Sequence, residues 1–386
     1  MPETDTVRAF LTDRHIELAR QIDSFAAREI EPLPEPADDS AARAQAVKIM
    51  RSLGVAGWFA PITEQDLRAC SLIREGLASA SPLADAVFAL QALSATPIIL
   101  NGNTELRERW VPAMADGEAM GAFAMTEPEA GSDVASMTTA AAREGDEYIL
   151  NGTKTLISNA GIADFYTVFA STDASKGSKG ISCFVVPAET AGLNFVKAQV
   201  LSSPHPLGEI ELVDCAIPAS WMVGEEGEGF KVGMATLDRL RATVGAAACG
   251  IARRAFQEAI THASRRTQFG KPLARFQLTQ QKLARMATDL AAARLLVYRA
   301  AWAKDSGAER VTIESAMAKA FATEAAQRIV DDAVQILGGR GVLAEHPVDR
   351  LYRSIRALRI YEGTTEIQQL VIARHLLDEA ESSTES

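Results

Sequence analysis

Three dispersed parts of the chain hold residues whose types and spacing suit chemistry. The first runs Ala122-Phe123-Ala124-Met125-Thr126-Glu127-Pro128-Glu129-Ala130-Gly131-Ser132-Asp133, followed by Asn151-Gly152-Thr153-Lys154 and Leu156-Ile157-Ser158. Hydroxyls and glycines of this kind present N–H groups and oxygens to a polar heterocycle or a phosphate. The same composition also makes ordinary turns. The second pairs Leu237-Asp238-Arg239-Leu240-Arg241 with Arg265-Arg266-Thr267-Gln268-Phe269-Gly270-Lys271-Pro272. Guanidinium forks bind phosphate oxygens, and they also populate solvated helix faces. The third joins Gln335-Ile336-Leu337-Gly338-Gly339-Arg340-Gly341 to Ile360-Tyr361-Glu362-Gly363-Thr364-Thr365-Glu366-Ile367. In an apolar setting Glu362 would have a raised pKa and act as a base near neutral pH; in a solvated setting it would be a capping or surface residue.

These segments need elements to position them. Up to about residue 118 the apolar period is helical. Leu18, Ile22 and Phe25 share one face of a helix opened by Thr12 or Asp13, and further helices are expected over Ala41–Ser52, Glu64–Ala80 and Thr104–Met114. From about 119 to 225 short β-type runs follow. Tyr148–Leu150 and Thr155–Ser158 read as a hairpin about Asn151-Gly152, and Phe165–Ala170, Ile181–Val186, Leu193–Leu201 and Glu209–Val213 as further strands of a small antiparallel domain. After about 226 the helical period returns, clearest at Leu283, Met286, Leu290, Ala293 and Val297. The expected division is therefore 1–118 helical, 119–225 β and 226–386 helical, with a disordered Glu- and Ser-rich tail after Asp378.

Composition narrows the function. With 39 Lys plus Arg against 50 Asp plus Glu, the net charge of −11 argues against nucleic acid or an anionic membrane as a partner. No run approaches the ~18 unbroken apolar residues of a spanning helix, and Met1 to Thr6 lacks the pattern of a secretory signal, so a soluble, cytoplasmic protein is expected. Cys70, Cys183, Cys215 and Cys249 form no C-x-x-C pair and read as buried free thiols, and the five scattered histidines give no metal site.

Taken together, the segments resemble the acyl-CoA dehydrogenase family, in register from about Phe10 to Ala380. TEPEAGSD at Thr126–Asp133, NGTK at Asn151–Lys154, RTQFGKP at Arg266–Pro272, QILGGRG at Gln335–Gly341 and IYEGTTEIQ at Ile360–Gln368 occur in the family's order. The resemblance implies an α+β protein with an N-terminal α domain, a middle antiparallel β-barrel and a C-terminal four-helix bundle, assembled as a homotetramer and carrying FAD. It assigns Phe123, Met125, Thr126, Gly131, Ser132, Leu156, Ile157 and Ser158 to the isoalloxazine side, with the Ser158 hydroxyl at flavin N5. Arg266, Gln268, Phe269, Gln277, Gln335, Ile336, Leu337, Gly338, Gly339, Thr364, Thr365 and Glu366 would hold the pyrophosphate and adenosine portions. Ser132, Asp238, Arg241 and Gly363 would touch the acyl-CoA substrate. Glu362 would take the α-proton of the thioester while the β-hydrogen passes as hydride to flavin N5, and its backbone N–H would help hold the developing enolate oxygen. Electron-transfer flavoprotein is the implied acceptor.

The chain also departs from the resembled pattern. Leu240 stands where some relatives place the base, which leaves Glu362 as the base at either family location, and its bulk would narrow an acyl pocket toward short, branched or cyclic chains. Leu156 replaces an aromatic residue often found beside the flavin, which keeps open an oxygen-using acyl-CoA oxidase. A degenerate acyl-CoA-binding protein is the reading outside catalysis. Phe59-Ala60-Pro61-Ile62-Thr63 runs straight into the next helix without the usual Gly-rich loop.

Overall fold

The computed structural model describes residues 4–384. Met1–Glu3, within the stretch read for a leader, and Glu385–Ser386, within the expected tail, lie outside the described residues. Helices α1 (Asp13–Phe25), α2 (Asp39–Val55), α3 (Ala60–Glu64), α4 (Leu67–Ala80), α5 (Pro82–Asn101) and α6 (Thr104–Ala115) come first. Strands β1 (Gly121–Ala124), β2 (Ala140–Glu144), β3 (Glu147–Ser158), β4 (Phe165–Ser171), β5 (Ile181–Pro187), β6 (Leu193–Ala198) and β7 (Leu207–Pro218) follow. Then come α7 (Gly229–Arg265), the short strands β8 (Thr267–Gln268) and β9 (Lys271–Pro272), and α8 (Gln277–Asp305), α9 (Thr312–Leu337), α10 (Pro347–Leu358) and α11 (Thr365–Thr384).

The helix starts carry their caps. Side chains of Asp38, Asp66 and Asn103 accept from the N–H groups of Ala41, Ala69 and Leu106 at 2.8–3.0 Å. The segment expected to begin at Glu64 begins at Leu67, because Gln65 turns left-handed (φ 59°) and Asp66 caps the next helix. The described part of the tail expected after Asp378 continues α11 to Thr384.

Helix α5 escaped the periodicity reading because it is apolar on every side. By length and composition it would suffice to cross a membrane, although Asp85 and Gln91 interrupt its apolar run, and 78% of its apolar window is buried inside the protein, as in a core helix.

The seven-stranded sheet runs β1-β4-β2-β3-β7-β6, with β5 paired to β4. It is a half-barrel and not purely antiparallel, since β1 lies parallel to β4. Asn151-Gly152 is not a hairpin turn. It lies within the single strand β3, at a register shift against β7, while the hairpin joins β2 to β3 around Gly145 (φ 62°).

Contacts divide the chain into two compact units. One comprises Met1–Leu33, Asp66–Asp85 and Asp238–Ser386, so α1 and α4 of the first helical segment pack with the C-terminal helices. Its core is rich in alanine from α7, α8 and α9, including Ala246, Ala255, Ala293 and Ala322, which lets these helices approach closely. The other comprises Pro34–Gln65 and Ala86–Leu237 and is built on the sheet. Within it Gln91 of α5 donates to Ala119 O at 2.8 Å and accepts from Gly121 N at 2.8 Å, fixing the start of β1. Gly121 has no room for a side chain there: a Cβ would meet Ser94 Oγ at 2.0 Å. All four cysteines are buried free thiols.

Candidate active site

Glu362 lies in the short link between α10 and α11, in the unit that contains the C-terminal helices. Its φ of 55° and the 90° of Gly363 make a left-handed corner, a conformation costly for a residue with a side chain. Several contacts hold the corner. Lys319 of α9, fully buried, donates to Gly363 O at 2.6 Å, and Gln368 Nε2 donates to the same oxygen at 3.1 Å. A Cβ on Gly363 would meet Gln368 Nε2 at 2.2 Å, so this position needs glycine for space as well as for φ. Thr365 Oγ1 and Arg359 Nε both donate to Glu324 Oε1, at 2.8 and 2.7 Å, and Thr365 N donates to Arg359 O at 3.1 Å.

The carboxyl group itself is under-satisfied. Glu362 Oε2 is buried with no hydrogen-bond partner. Burial pushes the Glu362 carboxyl above its ordinary pKa, while the Arg74, Lys319 and Arg241 charges pull it back. Those cations are largely occupied elsewhere. Arg74 forms a bidentate pair with Asp85 at 2.8 and 3.0 Å and donates to Thr243 Oγ1 at 2.9 Å. Burial draws the Lys319 ammonium down to about 8, against the opposing Glu362 charge. The result is a desolvated carboxylate that no donor claims, which is the condition for a base near neutral pH.

Asp238 and Arg241 share α7 with Leu240. Arg241 Nη1 donates to Asp238 Oδ1 at 2.9 Å and Thr312 Oγ1 to Asp238 Oδ2 at 2.9 Å, while Arg241 Nε is buried without a partner. Leu240 is buried.

The other expected residues of this unit fall into two groups. Arg266, Gln268 and Phe269 stand exposed on the β8–β9 hairpin, with Phe269 94% exposed at φ 52°. Gln277, Gln335, Gly338, Gly339 and Glu366 are exposed and Thr364 is half-buried, and a Cβ at Gly338 or Gly339 meets nothing within 4 Å. A phosphate-bearing ligand has open access to backbone and guanidinium donors here. In contrast, Ile336 and Leu337 belong to the helical core and the Thr365 hydroxyl is taken by Glu324, so these three have only backbone groups to offer.

In the sheet unit, Phe123 and Met125 flank the end of β1, Met125 buried and Phe123 with its ring 4.9 Å from that of Phe169. The half-buried Thr126 accepts Thr155 N through its carbonyl at 2.9 Å. Gly131 and Ser132 are exposed on the loop that follows, and Gly131 has open space where a Cβ would stand. The loop is tied by Glu127, which accepts from Thr138 N, Thr138 Oγ1, Thr139 N and the fully buried Lys154 Nζ at 2.6–2.9 Å. Burial alone would raise Glu127; Lys154 and the Thr138 N–H override it and hold the carboxyl at about 2. Near the end of β3, Leu156 is 56% exposed at φ 56°, with its N–H donated to Gln199 Oε1 at 2.8 Å. Ile157 is a core residue, and the half-buried Ser158 hydroxyl meets His205 Nε2 at 2.8 Å.

Three family models match the chain: the acyl-CoA dehydrogenase N-terminal domain over 12–118, the middle domain over 122–215 and the C-terminal domain over 227–377. The chain belongs to the acyl-CoA dehydrogenase family. It is similar to the 3-(aryl)acrylate reductase of Clostridium sporogenes, with 42% identity over 95% of this chain and 100% of that protein. To the mitochondrial short-chain specific acyl-CoA dehydrogenase of Mus musculus it is 40% identical, over 95% and 91% of the two chains. Among solved structures, butyryl-CoA dehydrogenase from Megasphaera elsdenii superposes with a TM-score of 0.90 at 35% identity, covering 95% of this chain and 99% of that one. The protein is a flavin-dependent oxidoreductase of acyl-CoA thioesters with FAD as cofactor. The open glycine edges at Gly131, Gly338 and Gly339 and the exposed Arg266 are compatible with that cofactor.

Reasoning from sequence missed the residues that support the site. Lys319 and Arg74 lie inside helices, where a lone cation reads as a surface residue. His205 had a local signal, its position in Pro204-His205-Pro206, where both neighbours restrict the backbone.

Proposed function

We propose that Glu362 removes the α-proton of a short, branched or cyclic acyl-CoA thioester while the β-hydrogen leaves with its electron pair, forming the 2-enoyl-CoA. The observation that carries this reading is the buried, unpartnered Oε2 of Glu362 on a left-handed corner braced by Lys319 and Gln368. An alkyl α-carbon is far too weak an acid for a carboxylate unless the thioester oxygen is held by donors as charge develops, a role given to the Glu362 N–H. FAD, when bound, accepts the hydride. Ser132, Asp238, Arg241 and Gly363 are assigned to the acyl-CoA. The residues named above on β1 and the loop that follows it, at the end of β3, on the β8–β9 hairpin and the start of α8, around Gly338 and at the start of α11 are assigned to the cofactor, with Ser158 at flavin N5. Leu240, buried on α7, is assigned to limiting the acyl chain. Electron-transfer flavoprotein is the proposed acceptor and a homotetramer the proposed assembly.

The test is anaerobic bleaching of the flavin by a panel of acyl-CoAs of increasing length, with wild type and Leu240→Gly side by side. Short, branched or cyclic thioesters should bleach the wild type fastest, and Leu240→Gly should shift the preference toward longer chains. Equal rates for long and short chains, unchanged by the substitution, would refute the substrate assignment.

A further inference from the structure

The hydroxyl of Ser158 is not a free rotor. His205 Nε2 lies 2.8 Å from Ser158 Oγ, and the geometry around this pair is over-determined. Ser158 is the last residue of β3, paired with Leu207 of β7, and His205 sits two residues before Leu207 on the incoming loop. Proline on both sides stiffens that loop, and Pro206 O accepts Asn159 N at 2.9 Å. Arg43 of α2 then clamps the corner. Its guanidinium donates to Ala160 O and, at 2.7 Å, to Leu207 O, the carbonyls two residues beyond each partner, while Nε pairs with Asp39 at 2.6 Å.

We propose that His205 is a positioning residue for the flavin, orienting the Ser158 hydroxyl toward the cofactor, an inference that rests on the assignment of Ser158 to flavin N5. Burial and the neighbouring Arg43 charge lower the imidazole pKa to about 4, so it is neutral at working pH. A neutral imidazole with its proton on Nε2 donates to Ser158 Oγ. With that lone pair taken, the serine O–H points away from His205 as a donor. N5 of oxidised flavin is an acceptor, so a fixed donor there favours the bound cofactor and sets its potential. A serine needs such a partner because its Cβ is unbranched, whereas a threonine methyl group would itself restrict χ1.

The experiment uses the FAD-loaded enzyme and reads the flavin midpoint potential and visible spectrum, with circular dichroism as the folding control, for wild type, H205A, H205Q, S158A, S158T and S158T/H205A. H205A should change the flavin reduction equilibrium about fivefold, the worth of one ordinary hydrogen bond, or roughly 20 mV for two electrons. H205Q, which keeps a donor, should recover part of the change, and in the S158T background removal of His205 should have less than half its effect. If S158A shifts the potential but H205A and H205Q do not, His205 has no such role while Ser158 keeps its place. If S158A itself leaves potential and spectrum unchanged, the assignment of Ser158 to N5 fails, and the inference fails with it.

Discussion

Glu362, Leu156 and Phe269 are three of only six non-glycine residues with positive φ among the described residues, the others being Gln65, Asn159 and Asp214. Backbone strain of this kind persists only where surroundings impose it, and it concentrates at functional positions. Nothing in the local sequence around Glu362 announces the conformation: Tyr361-Glu362-Gly363 is compatible with a plain helix cap. The bracing depends on Lys319 and Gln368, and Lys319 lies more than forty residues upstream. That separation is why sequence reasoning singled out Glu362 and missed its support. Lys319 also has an electrostatic role. Since burial raises the Glu362 pKa and the cations oppose it, loss of the Lys319 charge must raise that pKa further. If Glu362 is the base it must be ionised to act, so Lys319→Met should move the acid limb of the kcat profile upward. An acid limb that stays in place or moves down would show that Lys319 does not act on the base.

At the scale of elements, the legible parts were those with a period or a cap. Helices α1, α6 and α8 were readable because their apolar residues recur on one face or their starts carry residues of capping type at Thr12 and Thr104, although the cap of α6 is Asn103, one residue earlier. Helix α5 has no polar face to set a period, and β3 runs through Asn151-Gly152 because its pairing with β7 continues on both sides of the shift. The loop bearing Gly131 and Ser132 is held by a buried charge pair whose partners, Glu127 and Lys154, belong to two separate motifs. Lys154→Met would strand the Glu127 charge at a cost of about 3 kcal/mol. Thermal unfolding should show the loss, and Lys154→Met/Glu127→Gln should recover part of it. The pH sign follows from the depressed Glu127 pKa. This contribution is complete above the ordinary glutamate value near 4.5 and is lost as pH falls toward about 2. A Lys154→Met protein as stable as wild type at pH 7 would rule out the anchoring role.

For the whole molecule, order along the chain and order in space differ. The sequence reads as helical, β and helical segments, whereas contacts assign α1 and α4 to the unit of the C-terminal helices and α2, α3 and α6 to the sheet unit. Periodicity cannot anticipate this, because which helix packs on which depends on side-chain fit rather than on spacing. The consequence is functional: Arg74 of α4 reaches the surroundings of Glu362 only because its helix leaves the first segment. The surroundings of Glu362, on which the proposed α-proton chemistry rests, therefore draw on residues from α4, α7, α9 and the α10–α11 link. Single-turnover reduction of FAD-loaded Glu362→Gln by a short acyl-CoA, followed anaerobically, tests that chemistry most directly. The variant should bind FAD and acyl-CoA and lose flavin bleaching by at least about a thousandfold, in the range set by removal of a positioned general base. Bleaching at the wild-type rate would contradict the assignment of Glu362 as the base.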